Sequence, residues 1–556
     1  MGALEADVVV VGSGIGGLTA ALAAHEHGLR PLVLEKDERV GGASAASGGQ
    51  VWVGANHLME RQGLDDSVED ALRYVRELAA ADDTIFDPAV ARQWVESARL
   101  VARRLEELGV VEWETIPGYA DYYWPGVAGS RPEGRYVTGA LFPGRRLGDA
   151  RPLLVPAPSW PVGITYAEMF EWGGIVSRTT WRFDVVERRR AEDLLTFGQG
   201  TTAAFLAAAL DRGVEIRPGH AVTRLLRDGE AVVGVACATA AGELAVHGPV
   251  ILATGAHDWW PDARRYTLIP PEDGGSVAPA PIAGDGIALG EAAGAEIQSV
   301  PSWAAPVVPG YRLPRPLFPG DTGFRMCWEV SMPHSFLVDR SGERFCDDAF
   351  HPAIARALLT PDARGELPHL PFFLILDDEH HRRYGLGPSL PGEPYPEGLV
   401  TSAPTLRELA LALGIDPEGL EATAVRFNEG AARGADPDFG RGADPVTQRF
   451  RGDTGHPLNP NVAPVSTPPF HGLRMRLVGT GITAAGIRSG LDGRALRADG
   501  TAIPGLYAVG ECSARTAGGA GYNSGYSLSR AMTFGWLAGC DVASRRASAA
   551  ATSRSR

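Results

Sequence analysis

The stretch Val8-Val9-Val10-Val11-Gly12-Ser13-Gly14-Ile15-Gly16-Gly17 decides the fold of this chain. Four consecutive valines are typical of a strand buried on both faces, and helix-forming residues follow the glycines. In such a unit Gly12 permits the tight turn, Gly14 lets the backbone approach a pyrophosphate, and Gly17 allows close packing of helix on strand. The next strand ends at Glu35, whose carboxylate can accept hydrogen bonds from ribose hydroxyls. The sequence therefore predicts a dinucleotide site on a βαβ unit.

A second part of the same site lies near the other end of the chain. The segment Gly505-Leu506-Tyr507-Ala508-Val509-Gly510-Glu511 is typical of a strand that runs into a glycine turn and an acid. A site divided between both ends indicates a large nucleotide-binding domain that surrounds whatever lies between them. From about residue 300 to 475 the composition shifts to Pro-rich connections with aromatics, which favours a separate inserted domain.

The run Gly41-Gly42-Ala43-Ser44-Ala45-Ala46-Ser47-Gly48-Gly49 carries almost no side-chain bulk. Small residues let the backbone lie against a large planar ligand, and Ser44 and Ser47 can donate to phosphate or ring atoms. This run favours FAD over NAD as the cofactor. A flexible surface loop is the alternative interpretation.

Charge and cysteine content exclude several classes of function. The chain has 556 residues, and its formal net charge of -15 argues against a surface for nucleic acid, which would need clustered positive charge. The five cysteines are scattered, which favours free thiols in a reducing compartment. The sequence shows neither a leader nor a long apolar run, so it predicts a cytoplasmic protein without a membrane span. Whether the chain forms a homo-oligomer is left open.

In these motifs the chain resembles the fumarate-reductase/3-ketosteroid-dehydrogenase superfamily of flavoproteins, and most of all the Δ1/Δ4-type 3-ketosteroid dehydrogenases. The resemblance covers almost the whole chain and rests on Glu35 and on residues 12–17, 41–49, 253–255, 284–287, 427–429, 438–442 and 505–511. It implies an α/β fold with a discontinuous, glutathione-reductase-like FAD-binding Rossmann domain and an inserted α+β catalytic domain as a cap. The expected bounds are 1–299 and 476–545 for the FAD domain, 300–475 for the substrate domain and 546–556 for a frayed tail.

The resemblance also implies which residues hold the FAD. They belong to the glycine turn, the acidic end of the second strand, the small-residue run and later turns of the same domain. These residues are Gly12, Gly14, Ile15, Gly16, Gly17, Glu35, Lys36, Gly42, Ala43, Ser44, Ser47, Gly48, Gly49, Val222, Thr254, Gly255, Asp285, Gly510, Glu511, Ser527 and Leu528. Relatives that attach FAD covalently use a histidine in the small-residue run. The nearest histidine here is His57, so non-covalent FAD is expected.

The segment Val300-Pro301-Ser302-Trp303-Ala304-Ala305-Pro306 stands where relatives that reduce dicarboxylates have a His-Pro-Thr element. Burying a dianion without cationic partners is very costly. We therefore expect a small hydrophobic cyclic ketone, steroid-like in shape, as the substrate.

Ketosteroid dehydrogenases place a tyrosine and a glycine N–H near the C-terminus, where both donate to the substrate ketone. Here that stretch reads Gly521-Tyr522-Asn523-Ser524-Gly525-Tyr526-Ser527-Leu528. The resemblance assigns catalytic roles to Tyr522, Ser524 and Gly525, with the Tyr522 O–H and the Gly525 N–H as the donors. Such donors stabilise the enolate charge that develops as an α-proton leaves, and a helix that starts after Gly525 has the favourable dipole. A packing role for Tyr522 on a cofactor loop is the alternative.

The catalytic base is where the chain departs from the family. Relatives use a tyrosine a few residues after an Arg-Phe motif, but here Arg344-Phe345-Cys346-Asp347-Asp348 is followed by Ala349-Phe350-His351. His351 can replace the tyrosine because imidazole titrates near neutrality, although a capping or core-edge histidine is the alternative. Tyr122 lies, with Tyr119 and Tyr123, in the long loop where Δ1 enzymes contribute an assisting tyrosine.

The predicted function is an FAD-dependent dehydrogenase that desaturates the α,β carbon–carbon bond of a cyclic ketone. The expected steps are α-proton abstraction and β-hydride transfer to flavin N5. One alternative is an FAD-dependent ene-reductase that runs the reverse chemistry, because the same donors stabilise the same enolate. Another is a non-catalytic flavoprotein that carries electrons or binds a partner.

Two further expectations concern partners and metals. No second glycine-rich fingerprint for NAD(P)H is present in the sequence, so an external electron acceptor such as a quinone, a dye or oxygen is expected. The run Asp377-Asp378-Glu379-His380-His381 is rich in potential metal ligands. Adjacent residues on one backbone seldom converge on one ion, so we predict no metal site.

Overall fold

The structure, a computed structural model, describes residues 3–79, 85–161, 163–176, 178–318 and 320–554. Its helices are α1 (Ile15–Glu26), α2 (Gly42–Ala46), α3 (His57–Gln62), α4 (Val68–Ala79), α5 (Pro88–Glu107), α6 (Tyr166–Glu171), α7 (Phe183–Ala191), α8 (Phe197–Asp211), α9 (Asp285–Ala292), α10 (His351–Leu359), α11 (Asp378–Tyr384), α12 (Leu406–Leu413), α13 (Pro417–Ala431), α14 (Pro445–Arg451) and α15 (Tyr526–Arg554). Short 3-10 segments lie at Gly144–Leu153, Arg178–Thr180, Pro261–Arg265, Ser302–Ala304, Glu329–Ser331 and Gly510–Cys512.

The strands are short and are distributed along the whole chain. They are β1 (Ala3–Glu5), β2 (Val8–Val11), β3 (Pro31–Leu34), β4 (Val51–Trp52), β5 (Trp113–Thr115), β6 (Tyr136–Gly139), β7 (Phe142–Pro143), β8 (Leu194–Leu195), β9 (Glu215–Arg217), β10 (Ala221–Asp228), β11 (Ala231–Thr239), β12 (Gly242–His247), β13 (Val250–Leu252), β14 (Gly274–Ser276), β15 (Ile297–Ser299), β16 (Val307–Arg312), β17 (Phe324–Met326), β18 (Ser335–Asp339), β19 (Phe372–Asp377), β20 (Thr401–Ala403), β21 (Phe470–Arg474), β22 (Arg476–Gly479), β23 (Ala485–Ile487), β24 (Arg494–Leu496) and β25 (Ala502–Ala508).

A six-stranded sheet in the order β24-β25-β13-β2-β3-β9 forms the centre of the nucleotide-binding part. Its neighbouring strands are parallel except for the pair β24 and β25. The valine strand β2 is completely buried between β13 and β3, as its unbroken apolar run predicts. Because β25 comes from the C-terminal part and pairs with β13, both ends of the chain build one sheet.

The register of this sheet aligns the carboxyl ends of four strands. Val11 at the end of β2 pairs with Leu34 of β3 and with Leu252 of β13. Leu252 in turn pairs with Ala508 at the end of β25. The turns that follow these strands therefore lie along one edge, where open α/β sheets bind their ligands.

Helices α1 and α15 approach each other closely on one face of this sheet. A Cβ atom on Gly535 would lie 2.4 Å from the carbonyl oxygen of Gly16, and one on Gly539 would lie 2.6 Å from that of Ala20. Glycine is therefore needed at both contact positions of α15, since a side chain would push the helices apart.

The end of the chain differs from the prediction of a frayed tail at residues 546–556. Helix α15 continues through Arg554, while residues 555 and 556 lie outside the described residues. The physical reason is the alanine-rich sequence of this stretch, since alanine has the highest intrinsic helix propensity.

The remaining strands form six smaller sheets in the described part of the chain. Their strand orders are β1-β12-β11-β10, β14-β22-β16-β17, β18-β19-β21-β20, β4-β6-β5, β15-β23 and β7-β8. Strand β14 pairs with β22, so one sheet joins residues from both sides of the predicted inserted domain. The domain bounds at 299/300 and 475/476 stay a prediction. Within the described ranges, no helix combines the length and the apolar character needed to cross a membrane.

Candidate active site

One cavity contains both the predicted cofactor residues and the predicted catalytic residues. The predicted cofactor residues in its wall are Gly12, Gly14, Ile15, Gly16, Glu35, Lys36, Gly42, Ala43, Ser44, Ser47, Gly48, Gly49, Val222, Thr254, Gly255, Asp285, Gly510, Glu511, Ser527 and Leu528. The predicted catalytic residues in the same wall are Tyr122, His351, Tyr522, Ser524 and Gly525. The fold thus brings together residues that lie several hundred positions apart in the sequence.

Gly17 is the predicted cofactor residue that does not line this cavity. A Cβ atom at this position would lie 2.0 Å from the carbonyl oxygen of Gly12. Gly17 therefore packs α1 against the turn and supports the site from behind. Gly12 itself has a φ of 105°, which favours glycine, and a Cβ there would lie 2.4 Å from the Ala253 oxygen.

Glu35 is held by the glycine turn. Its Oε2 accepts hydrogen bonds from the Ser13 N–H at 3.0 Å and the Ser13 hydroxyl at 2.6 Å, and its Oε1 accepts from the Asp37 N–H at 3.0 Å. Burial raises the pKa of Glu35, while the bonds from Ser13 and Asp37 partly offset that rise. Lys36 pairs with Asp285 at 2.6 Å, so these two wall residues partly neutralise each other.

The small-residue run is built into the cavity wall, in contrast to the surface-loop interpretation. It forms α2, and the Ser44 hydroxyl accepts a hydrogen bond from the Ile15 N–H at 3.1 Å. The Tyr166 hydroxyl donates to the Gly48 carbonyl oxygen at 2.8 Å. A Cβ on Gly48 would lie 2.6 Å from that hydroxyl and 2.7 Å from the Trp160 ring, so no side chain fits there.

These residues fit FAD on chemical grounds. The N–H groups in the first turn of α1 have no partners within the helix and suit a pyrophosphate. Glu35 supplies acceptors for ribose hydroxyls. The small-residue run and Trp160 lie in the wall of the same cavity, where the run exposes backbone without side-chain bulk. The cavity then continues to the catalytic cluster, so a bound flavin ring and a substrate would share it.

Tyr122, His351 and Tyr522 form a compact cluster of rings. The ring centroids of Tyr122 and His351 are 5.7 Å apart, those of His351 and Tyr522 are 5.4 Å apart, and those of Tyr122 and Tyr522 are 6.0 Å apart. The three side chains come from the long loop, from the start of α10 and from the C-terminal loop. Burial raises the pKa of Tyr522 well above its ordinary value, so its hydroxyl stays protonated and can donate.

Gly525 offers a free backbone donor beside this cluster. Its N–H makes no hydrogen bond in the described part of the protein, and it directly precedes α15. Its φ is 78°, and a Cβ there would lie 2.6 Å from the backbone nitrogen of Trp52. The backbone can therefore turn its N–H toward a ligand only with glycine at this position. The dipole of α15 adds to the attraction for a developing negative charge.

Asn523, which the sequence analysis did not single out, joins the loops of the cluster. Its Oδ1 accepts hydrogen bonds from the Tyr74 hydroxyl at 2.9 Å and from the Tyr122 N–H at 3.1 Å. Its Nδ2 donates to the Ser524 carbonyl oxygen at 3.0 Å. Asn523 thus fixes the backbone of Tyr122 relative to the loop that carries the ketone donors.

His351 is buried, with 3% of its surface exposed, and neither of its ring nitrogens has a hydrogen-bond partner among the described residues. Burial lowers the pKa of His351 well below 6.5, and the positive charge of Arg451 lowers it further. The imidazole is therefore neutral at pH 7 and has a free nitrogen. A capping or packing histidine would normally spend its nitrogens on hydrogen bonds, so the environment favours a chemical role.

A buried ion network fixes the segment before His351. Arg344 pairs with Asp348 at 3.0 Å and with Asp436 at 2.8 Å, and Arg441 pairs with Asp348 at 2.8 Å. The guanidinium groups hold the pKa of Asp348 at about 2, so this carboxylate stays ionised. The ion pairs of Arg344 and Arg441 therefore hold in place the segment that leads into α10.

The sequence analysis named Tyr119 of the aromatic cavity wall but missed its other members, Phe450, Trp160 and Trp328, and one arginine. The rings of Tyr119 and Phe450 stack with centroids 4.0 Å apart, and Trp160 lies 5.9 Å from Trp328. Arg451, the last residue of α14, lies with its guanidinium carbon 4.9 Å from the Trp328 ring. No periodicity or motif distinguishes these residues, because each comes from a different loop or helix end.

A second cavity shares His351 and Tyr522 with the first one and is also lined by Tyr123 and Trp303. Trp303 lies under the guanidinium of Arg356, 4.2 Å from its carbon. The segment at residues 300–306 therefore borders this second cavity. His351 and Tyr522 line both cavities, so these two side chains of the cluster separate the second cavity from the main one.

The acidic run at residues 377–381 meets His471 of β21. Asp378, His381 and His471 have potential ligand atoms within 4.8 Å of one another, although Arg382 pairs with Asp378 at 2.9 Å. None of these residues lines the main cavity. The prediction of no metal site stays a prediction.

Comparison with known proteins decides the family. Residues 7–528 match the family described as the FAD binding domain. The chain belongs to this family. It is an FAD-dependent oxidoreductase, and the resemblance to ketosteroid dehydrogenases is confirmed by its relatives.

The chain of this flavoprotein is 31% identical to 3-oxosteroid 1-dehydrogenase of Mycobacterium tuberculosis (strain ATCC 25618 / H37Rv), over 97% of this chain and 98% of that protein. It is 32% identical to 4-oxocyclohexanecarboxylate 2-dehydrogenase of Sinomonas cyclohexanicum, over 97% of this chain and 93% of that protein. Its fold is similar to that of 3-ketosteroid delta1-dehydrogenase from Sterolibacterium denitrificans in complex with 1,4-androstadiene-3,17-dione. That match has a TM-score of 0.87 at 27% identity and covers 97% of this chain and 100% of the other.

Proposed function

We propose that this flavoprotein desaturates the α,β carbon–carbon bond of a cyclic ketone. The observation that carries the proposal is the cluster of Tyr522, His351 and Tyr122 beside the free Gly525 N–H, in the same cavity as the FAD residues. The relatives named above act on a 3-oxosteroid and on 4-oxocyclohexanecarboxylate, which are both ring ketones. We also propose the finer fold description, a glutathione-reductase-like FAD domain capped by the inserted domain.

In this proposal the protein holds the ketone and moves one proton. The Tyr522 hydroxyl and the Gly525 N–H donate to the ketone oxygen and stabilise the enolate charge. A ring nitrogen of His351 takes the proton from the α-carbon, and Tyr122 assists from the facing side of the cluster. Bound FAD supplies the acceptor for the hydride of the β-carbon, so that two C–H bonds break and one C=C bond forms.

Three further parts of the proposal concern the cofactor and its surroundings. We propose that FAD is bound without a covalent link, because His57 lies on α3 and pairs with Glu106 at 3.0 Å, away from the cavity wall. We propose that a quinone, a dye or oxygen takes the electrons onward. A cytoplasmic location also stays a prediction.

Anaerobic reduction of the bound flavin tests this function. We expect oxidised holoenzyme to lose its visible flavin absorbance when it is mixed with a panel of simple cyclic ketones and 3-ketosteroids, because a desaturated ketone must leave its electrons on the flavin. The matching enones, mixed with reduced enzyme, measure the reverse direction. Reoxidation by enones without any reduction by saturated ketones would favour the ene-reductase. No response to either panel would contradict both.

The activity should remain level on the acid side of neutrality. The lowered pKa of His351 keeps its imidazole neutral, and therefore able to accept a proton, as the pH falls through 6. At about pH 5.5 a base of ordinary pKa would leave about a tenth of the kcat/KM measured at about pH 7.5, and we expect this protein to keep clearly more than that fraction. The measurement is the pH profile of kcat/KM for the wild type and for His351→Gln. An acid limb near pH 6.5 that His351→Gln removes would show that the pKa is not lowered.

A further inference from the structure

Arg451 is a cation that the described part of the protein leaves without a carboxylate. It ends α14 and lines the main cavity, where it is half-buried. Its guanidinium carbon lies 4.9 Å from the Trp328 ring. No carboxylate oxygen of the described residues lies within 4.0 Å of its guanidinium nitrogens. The ring face compensates only partly for the lost hydration of the charge.

Three other charged groups of the cavity wall, Lys36, Glu511 and Arg39, differ from Arg451 in this respect. Lys36 is paired with Asp285, and Glu511 is paired with Arg530 at 3.3 Å. Arg39 is exposed to solvent, which satisfies its charge. Arg451 is thus a partly desolvated cation in the wall of a cavity that a ligand can enter, and none of its five donors has a carboxylate partner among the described residues.

Arg451 lies close to the catalytic cluster. Its positive charge lowers the pKa of both His351 and Tyr522, an effect that needs proximity in a weakly polar site. Phe450, the preceding residue, stacks on Tyr119 at 4.0 Å and continues the aromatic wall. The cavity therefore offers two ketone donors, flat aromatic walls and a half-buried guanidinium without a carboxylate partner among the described residues.

We propose that Arg451 binds a carboxylate on the ring of the substrate, so that the substrate is a small cyclic keto acid. This inference rests on the proposed function, since it places the ketone of the same molecule on Tyr522 and Gly525. A planar guanidinium holds a carboxylate with two parallel hydrogen bonds, which also fixes the orientation of the ring. The sequence analysis expected a purely hydrophobic ketone, because it did not place this arginine in the cavity.

The proposal has a consequence for His351. A bound carboxylate would cancel much of the field of Arg451, so the proton affinity of the imidazole would rise when the substrate is in place. The base would then be strengthened only in the complex. A neutral ketone of the same size would leave the field of Arg451 unchanged.

Binding without turnover is the first test. The probes are 4-hydroxybenzoate, a planar carboxylate that cannot be desaturated, and its uncharged methyl ester, each titrated into holoenzyme and followed by flavin absorbance. The acid should bind about 30-fold or more tightly than the ester, because a charge-assisted pair is worth that much. Arg451→Gln should weaken the acid about 30- to 100-fold and leave the ester within about threefold. The matched control Arg449→Gln, an exposed arginine of the same helix, should change neither affinity.

Turnover with 4-oxocyclohexanecarboxylate and its methyl ester is the second test. Arg451→Gln should lower kcat/KM for the acid alone. Equal binding of the acid and the ester by the wild type would overturn the proposal. Loss of FAD from Arg451→Gln, or an equal loss of affinity for both ligands in that variant, would also overturn it, since Arg451 would then serve the cofactor or the fold. If the acid binds through Arg451 but no ketone bleaches the flavin, the subsite stands and the proposed function fails. If neutral ketones bleach it and the acid does not bind, the function stands and this inference fails.

Discussion

Tyr522→Phe should lower kcat about 100- to 1000-fold, the cost of removing one donor from a developing enolate oxygen. The substitution removes only the hydroxyl, so the ring contacts with Tyr122 and His351 remain. The Gly525 N–H would then hold the ketone oxygen alone. The measurement is the anaerobic rate of flavin bleaching by a cyclic ketone at saturation, which excludes the later step with the electron acceptor.

Tyr123→Phe is the matched control for this experiment. Tyr123 packs edge-on against Phe350, with ring centroids 5.4 Å apart, and lines the second cavity rather than the main one. We expect removal of the Tyr123 hydroxyl to leave the rate of flavin bleaching within about threefold of the wild-type rate, because this hydroxyl lies away from the reacting atoms. Near-normal bleaching by Tyr522→Phe, at full FAD content, would make Tyr522 a packing residue of the cofactor loop.

Gly17→Ala should yield a protein without bound FAD. Its new Cβ would lie 2.0 Å from the Gly12 carbonyl oxygen, whereas a carbon and an oxygen need roughly 3.3 Å. Helix α1 must then move away from the turn, and its N-terminal N–H groups leave the pyrophosphate position. The measurement is flavin absorbance per purified protein, which we expect to fall below about a tenth of the wild-type value, a change of more than 1.4 kcal/mol in binding.

Gly28→Ala separates this effect from ordinary strain. Gly28 follows α1 with a φ of 79°, and a Cβ there would meet no atom within 4 Å. It should cost roughly 1 kcal/mol of stability and retain full FAD. If Gly17→Ala is folded and retains its FAD, the turn at Gly12 tolerates a wider spacing from α1, and Gly17 is not required for FAD binding.

The architecture of the main sheet was predictable because its signals are local. The valine strand, the glycine turn and the acid at Glu35 each carry their own pattern, and the C-terminal segment repeats the strand-to-glycine pattern. The bounds of the inserted domain have no comparable local signal in the sequence, because β14 and β22 are short strands without a hydrophobic period. The expected frayed tail at residues 546–556 lies within α15 as far as Arg554, and an alanine- and arginine-rich end has no capping signal to distinguish a helix from a tail.

The candidate site was predictable where a residue type is required by its chemistry. Gly525 and Tyr522 follow from the family motif, and His351 follows from the missing tyrosine. Arg451 and the Trp160–Trp328 pair could not be found, because their place in the cavity depends on how separate loops fold against each other. Asn523 was overlooked for a similar reason, since its partners Tyr74 and the Tyr122 backbone are distant in sequence.

The pairing of β25 with β13 and the contact of α15 with α1 have a consequence for biosynthesis. During translation the N-terminal βαβ unit leaves the ribosome long before the strand and helix that complete its sheet and cover its helix. The edge of β13 and the face of α1 that packs on α15 stay uncovered until the last part of the polypeptide emerges. We therefore expect flavin loading to follow the synthesis of β25, and we expect nascent chains that stall before β25 to present an open sheet edge.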